Sequence, residues 1–339
     1  MGEPLLELER LTVHYVSARG RRVVRAVEDV SLRLGVGETL GVVGESGSGK
    51  TTLALSILRL LPPAAQVMGG AIRFEGADLL RKSDAEMRAI RGKRIAMILQ
   101  DPMVSLNPLL TVGDQVGEPL RVHERVSRRS AWSRAGELLR SVRIPAAESR
   151  LGEYPHQMSG GMRQRIVGAM AISCRPGLLI ADEPTTSLDV TIQSQYLSLL
   201  RELQVAYGLS LIFITHNLGI VARMCDRIAV MYAGRIVESG PVRTIFNAAA
   251  HPYTQAQLES IPRIREDGGE LAPGARRLAA IDGQPPDLAT LPPGCAFHPR
   301  CGRVMDRCRS ERPPELELGG RHAARCWLVA EPAAPGARR

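Results

Sequence analysis

An α/β fold organised around a phosphate-binding loop is predicted by three observations. The stretch Gly44-Glu45-Ser46-Gly47-Ser48-Gly49-Lys50-Thr51 meets the pattern G-x-x-x-x-G-K-[ST] at every fixed position. Its flanks fit: Thr39 to Val43 reads as a buried strand. Leu53, Ile57 and Leu61 form one stripe of a helix that Pro62-Pro63 closes. Apolar strands then alternate with helices from Leu6 to about Asn247, the pattern of a parallel α/β core.

The remaining elements follow in order. Leu6 to Val16 alternates as a strand, and Val23 to Leu34 holds one or two more. Ile72-Arg73-Phe74 is a short strand after Gly69-Gly70. Asp84 to Arg91 is a polar helix, and Ile95 to Leu99 is an apolar strand running into Gln100. A loop dense in turn residues, Gln100 to Pro108, leads to two helices, Val112 to Val122 and Ser130 to Val142, the second capped by Ser130. Their many arginines make either a solvated face or a partner-binding one. Ser159-Gly160-Gly161 opens a helix from Met162 to Ser173. Leu178 to Ala181 is a strand ending in Asp182-Glu183-Pro184. Val190 to Tyr207 is a long helix, Ser210 to Ile214 a strand reaching His216, and Ile228 to Val237 a hairpin around Ala233-Gly234.

The residue types carry a chemistry. Glycines let backbone N–H groups converge on phosphate oxygens, and the following helix points its positive end at the same anion. Lys50 is placed to reach the β- and γ-phosphates, and the Thr51 hydroxyl to ligate Mg²⁺. The chain has three lysines among 44 basic residues, so keeping lysine at position 50 is itself a signal. Asp182, at the end of an apolar strand, sits where a doubly wound sheet binds its ligand and would hold Mg²⁺ through water. Glu183 beside it can orient or deprotonate an attacking water. Tyr15, at a strand end, is either an adenine-stacking ring or a core residue.

A length of 339 residues allows roughly two domains of about 150 each. The net charge of +9 favours anionic partners, or reflects an arginine-rich base composition. No apolar run approaches the roughly eighteen residues that span a bilayer, and Met1-Gly2-Glu3-Pro4 has no signal-peptide character. A peripheral or soluble cytoplasmic protein is expected.

In their order, the phosphate loop, Gln100, Ser159-Gly160-Gly161, Asp182-Glu183, Ser187-Leu188-Asp189 and His216 resemble the ATP-binding subunits of ABC transporters over about residues 5 to 250. The resemblance implies a RecA-like ATPase core in residues 1–255, with an inserted helical subdomain at about 100–165 and a small Cys-rich extension over 256–339. It implies that Gly44, Ser46, Gly47, Gly49, Lys50, Thr51, Thr52 and Tyr15 bind ATP, and that Gln100 touches Mg²⁺ and couples to a permease. Ser159, Gly160 and Gly161 would be the signature that closes the site of a second subunit, Asp189 the D-loop residue, and His216 the switch residue at the γ-phosphate, catalytic together with Glu183. The wording of Gln100 to Pro108, Tyr154-Pro155-His156, His251-Pro252-Tyr253-Thr254 and Gly283 to Cys295 resembles the oligopeptide/dipeptide importers. Partners so implied are a second ATPase chain, two permease subunits and, indirectly, an extracytoplasmic solute-binding protein, on the cytoplasmic face of the membrane. Met158, Leu99 and Asn217 replace the usual Leu, Phe and Asp; none removes a catalytic group.

Cys295, Cys301, Cys308 and Cys326 are spaced C-x₅-C-x₆-C-x₁₇-C. Four thiolates suit Zn²⁺ or an iron–sulfur cluster, though the tight pairs of zinc knuckles are absent. The importer resemblance implies a [4Fe-4S] cluster here, with Zn²⁺ or unmetallated thiols the alternatives. Few large apolar residues lie between Cys295 and Cys326, so a metal centre is expected to order the segment. Arg300, Arg303, Arg307, Arg309, Arg321 and Arg325 are expected to balance the charge of that centre. Competing readings are a DNA-associated ABC ATPase, against the expectation of no nucleic-acid partner, and a motor for nickel chelates or glutathione rather than peptides.

Overall fold

The computed structural model describes residues 3–17, 22–101, 105–186, 188–261 and 281–330. Pro102-Met103-Val104, Ser187 and the linker residues Gly268-Gly269 and Pro273-Gly274 lie outside them.

The first half of the chain gives β1 (Leu6–Val16), β2 (Val23–Leu34), β3 (Thr39–Val43), α1 (Lys50–Ile57), β4 (Ala65–Phe74), β5 (Ala77–Asp78), α2 (Asp84–Ile90) and β6 (Ile95–Ile98). Four helices follow: α3 (Val112–Glu124), α4 (Arg128–Ser141), α5 (Ala147–Arg150) and α6 (Gly160–Ile172). Then come β7 (Leu178–Asp182), α7 (Val190–Tyr207), β8 (Ser210–Thr215), α8 (Leu218–Met224), β9 (Arg227–Tyr232), β10 (Arg235–Pro241), α9 (Val242–Ala248) and α10 (Pro252–Glu259). The C-terminal part adds α11 (Asp306–Ser310), β11 (Leu316–Gly319), β12 (His322–Ala324) and α12 (Trp327–Ala330).

The larger sheet has the order β11-β12-β10-β9-β3-β8-β7-β6. Its strands from β9 to β6 are parallel, and β10, β12 and β11 extend it antiparallel. Parallel strands covered on both faces must be apolar throughout. Accordingly every residue of β3, β7 and β8 is buried. The smaller sheet, β2-β1-β4-β5, is antiparallel. It alternates: Leu6, Leu8, Leu11 and Val13 of β1 face inward. They share a core with Leu53 and Ile57 of α1 and with Leu40, Val42, Ile180 and Ile212 of the parallel strands. The opposite face of those strands packs Val43, Ala181 and Phe213 against Leu139, Ile166, Tyr196 and Leu200.

Several boundaries depart from expectation. Val23 to Leu34 is one strand whose pairing with β1 shifts register three times. Helix α1 stops at Ile57, before Leu61, because Arg59 takes a left-handed φ of 50°. Gly69-Gly70 lies inside β4, where the register against β1 also slips. Ser127, not Ser130, caps α4, its side chain accepting from Ser130 N.

The largest difference is the C-terminal segment. Strand β12 pairs with β10 through Glu238–Ala324 and Ser239–Ala323. Phe297 and Trp327 are buried, and Phe297 belongs to the core that includes Tyr232 and Tyr253. Counting the segment's own apolar residues underestimates its stability, since it buries them on the ATPase core rather than on itself. The buried Glu238 carboxylate accepts from Ala250 N (2.6 Å) and His251 N (3.0 Å) and pairs with His322 Nε2 at 2.8 Å. Among the described residues no helix is long and apolar enough to cross a membrane.

Candidate functional site

The phosphate loop links β3 to α1 and is packed so closely at Gly44 and Gly49 that neither position has room for a side chain. A Cβ on Gly44 would stand 2.2 Å from Met231 O, and one on Gly49, whose φ is 103°, would stand 2.1 Å from Ala26 O. Lys50 follows as the first helical residue, its side chain 6% exposed. Its ammonium donates to the carbonyls of Gly44 (2.8 Å) and Glu45 (2.9 Å), inside the curl of the loop. Burial lowers its pKa, while the charges of Glu183, Asp182 and Glu45 oppose that shift.

Gln100, Asp182, Glu183 and His216 come from the carboxyl ends of β6, β7 and β8, the edge where an α/β sheet binds its ligand. Asp182 is 1% exposed, and neither carboxylate oxygen has a hydrogen-bond partner of good geometry. Burial raises its pKa, with the neighbouring Thr51 hydroxyl pulling it back down. A buried carboxylate with free lone pairs beside a threonine hydroxyl is a donor set for a hard divalent cation. These residues therefore fit Mg²⁺.

Glu183 is held differently. Its backbone takes a left-handed φ of 46°, while its N–H stays on Ile214 O at 2.9 Å. Oε2 accepts from Thr186 Oγ1 (2.9 Å) and Gln100 Nε2 (3.3 Å), and Oε1 lies 3.3 Å from His216 Nδ1. The expected pair Glu183–His216 and the expected Gln100 thus meet on one carboxylate. Thr186 was not anticipated from the sequence; its only signal is its place three residues after Glu183 in a turn.

Tyr15 reaches the same region, its hydroxyl 3.2 Å from Thr52 Oγ1 at the start of α1. Ser159, Gly160 and Gly161 lie elsewhere. Ser159 is exposed and caps α6, accepting from Met162 N at 3.3 Å. Gly161 and Gly168 face Ile192 and Tyr196 of α7. Asp189 caps α7, accepting from Ile192 N at 2.9 Å. These residues stand on the helices packed beside the site rather than on the loop that carries Lys50.

Cys295, Cys301, Cys308 and Cys326 line one small cavity with His251, Phe297 and Trp327. All four are free thiols. Burial pushes Cys295 up to about 11 and raises Cys301 and Cys326 as well. Among the described residues no group of His, Cys, Asp and Glu stands at metal-ion geometry. The four thiols share a cavity without standing as a ligand group. The arginines do not surround it as expected. Arg303 is the one whose charge lowers Cys301 and Cys326. Arg307 covers the Trp327 ring at 3.6 Å, Arg325 pairs with Asp29 and Glu315, and Arg300 pairs with Glu45. For Arg300 the reason is a bidentate pair with a full carboxylate charge, which the neutral thiols do not offer.

Comparison with known proteins adds to this geometry. A family model described as ABC transporter matches residues 27–186, and one described as oligopeptide/dipeptide transporter, C-terminal region, matches residues 237–308. The dipeptide transport ATP-binding protein DppD of Bacillus subtilis (strain 168) is 50% identical over 327 residues, 96% of this chain and 95% of that protein. The oligopeptide transport ATP-binding protein OppD of the same organism is 48% identical over 332 residues, 98% of this chain and 90% of that one. A solved dimeric ATP-binding cassette in a post-hydrolysis state, bound to ADP and Pi, matches with a TM-score of 0.63 and 28% identity, covering 70% of this chain and 99% of its own.

The unpartnered Asp182 makes a stability prediction. Asp182→Asn removes a buried charge, so the nucleotide-free protein should melt higher, by about 2–4 °C per kcal/mol regained. The same variant should lose Mg²⁺-dependent ATP turnover. Thermal denaturation beside a phosphate-release assay checks both; a lower melting temperature would show that the carboxylate is satisfied in the free protein.

Proposed function

The chain belongs to the ABC transporter family, in its peptide-import branch, and on that premise we propose that it is the ATP-hydrolysing motor subunit of a di- and oligopeptide importer. The observation that carries the mechanism is the Glu183 carboxylate, oriented by Gln100, Thr186 and His216 next to the unpartnered Asp182.

ATP is the substrate. Tyr15 stacks on its base, and the N–H groups of the loop from Gly44 through Ser46, Gly47 and Gly49 to Thr52 bind its phosphates. Lys50 exchanges its two loop carbonyls for the β- and γ-phosphate oxygens. Thr51, Asp182 and Gln100 hold Mg²⁺, which when bound neutralises phosphate charge. Glu183 accepts a proton from the attacking water, and His216 stays on the γ-phosphate. Ser159, Gly160, Gly161 and Asp189 complete the site of a second ATPase chain. The exposure of Ser159, Gly160 and Asp189 supports this, as does the N-terminus of α6 that Ser159 opens, since such termini bind anions. Residues 1–255 form the nucleotide-binding domain, with its helical part at about 100–165, and residues 256–339 the extension.

The motor works peripherally at the cytoplasmic face, under two permease subunits. A groove lined by Leu110, Arg121, Val122 and Arg125 on the helical part supports permease contact there. Many arginines of that part are paired within the chain, among them Arg128–Asp114 at 3.0 Å, Arg150–Glu153 at 2.8 Å and Arg134–Glu124. That pairing favours a protein contact over a nucleic-acid one. In the extension, the four thiols take a [4Fe-4S] cluster of structural role, with Zn²⁺ the alternative.

Three outcomes follow. Glu183→Gln should keep ATP binding and lower turnover in the assembled transporter by roughly 10²–10⁴-fold, the usual worth of a general base; near-normal turnover would remove Glu183 from the role. Charge reversal at Arg121 or Arg125 should weaken co-purification of the permease while ATP affinity holds. Anaerobically purified protein should carry about four irons per chain, and Cys301→Ser should remove them while the ATPase core stays folded. One zinc per chain would replace the cluster by its alternative, and metal-free protein with an intact tail would exclude both.

A further inference from the structure

Arg300 belongs to the C-terminal segment, yet its side chain ends in the phosphate loop. It is 6% exposed and grips Glu45 with both arms, Nη1 to Oε2 at 2.8 Å and Nη2 to Oε1 at 3.0 Å. The rest of the guanidinium is also committed: Nε to Asp282 O (2.9 Å), Nη1 to Tyr232 OH (3.3 Å) and Nη2 to Ile281 O (3.4 Å). Its face lies over the rings of Tyr232 and Phe297, 5.9 and 6.0 Å from their centroids.

Glu45 is equally committed. Its N–H donates to Tyr253 OH at 3.0 Å, and that hydroxyl also accepts from Gln257 Nε2. Its carbonyl accepts from Lys50 Nζ at 2.9 Å and from Ser48 N at 3.2 Å. Every polar group of this loop residue is therefore fixed, and two of the anchors, Arg300 and Tyr253, lie after the end of β10. The next residue in the loop is Ser46, so the direction of the phosphate-binding N–H groups depends on where Glu45 is held. Glu45 also puts a negative charge beside a polyphosphate site, and Arg300 is the cation that balances it.

We propose that Arg300 is a positioning residue for ATP binding: the C-terminal segment clamps the phosphate loop through Arg300 and Glu45 and so sets the affinity of the site. This deepens the ATPase reading and rests on it. An arginine fork on a carboxylate defines both distance and plane, which a single ammonium does not. Because loop N–H contacts to phosphate exist in the ground state and the transition state alike, weakening them raises KM and leaves kcat.

The test is a double-mutant cycle on the full chain, read as the Kd of a fluorescent ATP analogue and as kcat and KM for ATP. Arg300→Ala should raise KM and Kd on the order of tenfold with kcat within about twofold. Arg300→Lys should fall between it and the parent. Glu45→Ala should raise KM in the same way, and the double variant should be no worse than the worse single one, because each acts through the other. Multiplying effects, or a KM within about twofold of the parent in Arg300→Ala, would overturn the proposal. So would equal losses in kcat and KM, which a merely structural role produces. Should Arg300→Ala fail to fold, Glu45→Gln reads the same coupling with the tail arginine in place, and an unchanged KM there would be equally decisive. If the ATPase reading itself were wrong, the parent chain would neither bind the analogue nor turn over ATP, an outcome distinct from all of these.

Discussion

Burying charge without neutralising it is the constraint on which this structure turns. Lys50 and Asp182 are both shielded from solvent, one directing its hydrogen bonds into the loop's own carbonyls and the other having none of good geometry. The arrangement is costly in the free protein above all for Asp182, because a buried carboxylate without hydrogen-bond donors recovers little of its desolvation penalty. On the proposed reading the cost is tolerated because the substrate's phosphates and their divalent cation would be the partners. Burial pushes both pKa values toward the neutral forms, and each residue's opposite charge holds the other back from that.

The fold supplies what that arrangement needs. Three of the five parallel strands, β6, β7 and β8, deliver Gln100, Asp182, Glu183 and His216 to one edge, with the phosphate loop between the end of β3 and the start of α1. The glycines at 44 and 49 let the backbone press against Met231 and Ala26, so the loop's shape is set by two different sheets. The C-terminal segment adds a third support: it joins the large sheet through β12 and reaches the loop through Arg300. Glu183 keeps a left-handed backbone, held in place by the hydrogen bond from its N–H to β8.

Much of this was legible in the sequence, for physical reasons that differ by element. The central strands could be read because parallel strands buried on both faces leave unbroken apolar runs, and Thr39 to Val43 matched residue for residue. Val190 to Tyr207 was equally plain, with an Asp cap at one end and Gly208 at the other. The helix after the loop was overextended because an apolar stripe does not reveal that Arg59 turns left-handed. The strands of the C-terminal segment were not anticipated. They are three and four residues long and the segment's apolar residues pack on the ATPase core, far earlier in the chain, so no local period announces them. Likewise, Asp182 and Glu183 were visible as a pair at a strand end, whereas Thr186, Tyr253 and Arg300 act through contacts that spacing cannot encode. The four cysteines line one cavity, although among the described residues they form no ligand group; of the arginines assigned to them by proximity in sequence, Arg303 acts on their charge, while Arg300, Arg307 and Arg325 have other partners.

The account's central claim is that the γ-phosphate lies between the loop from Gly44 to Thr51 and the Glu183 carboxylate. Vanadate takes the place of that phosphate when trapped with Mg·ADP, and near-ultraviolet light then cleaves the polypeptide at the residues touching it. Irradiating the trapped complex of the full chain with its transporter partners and sequencing the fragments tests the claim most directly. The account predicts cleavage within Gly44–Thr51. A chain cut only elsewhere, for instance in the polar cavity bordered by His14, Glu28 and Arg235, would contradict it.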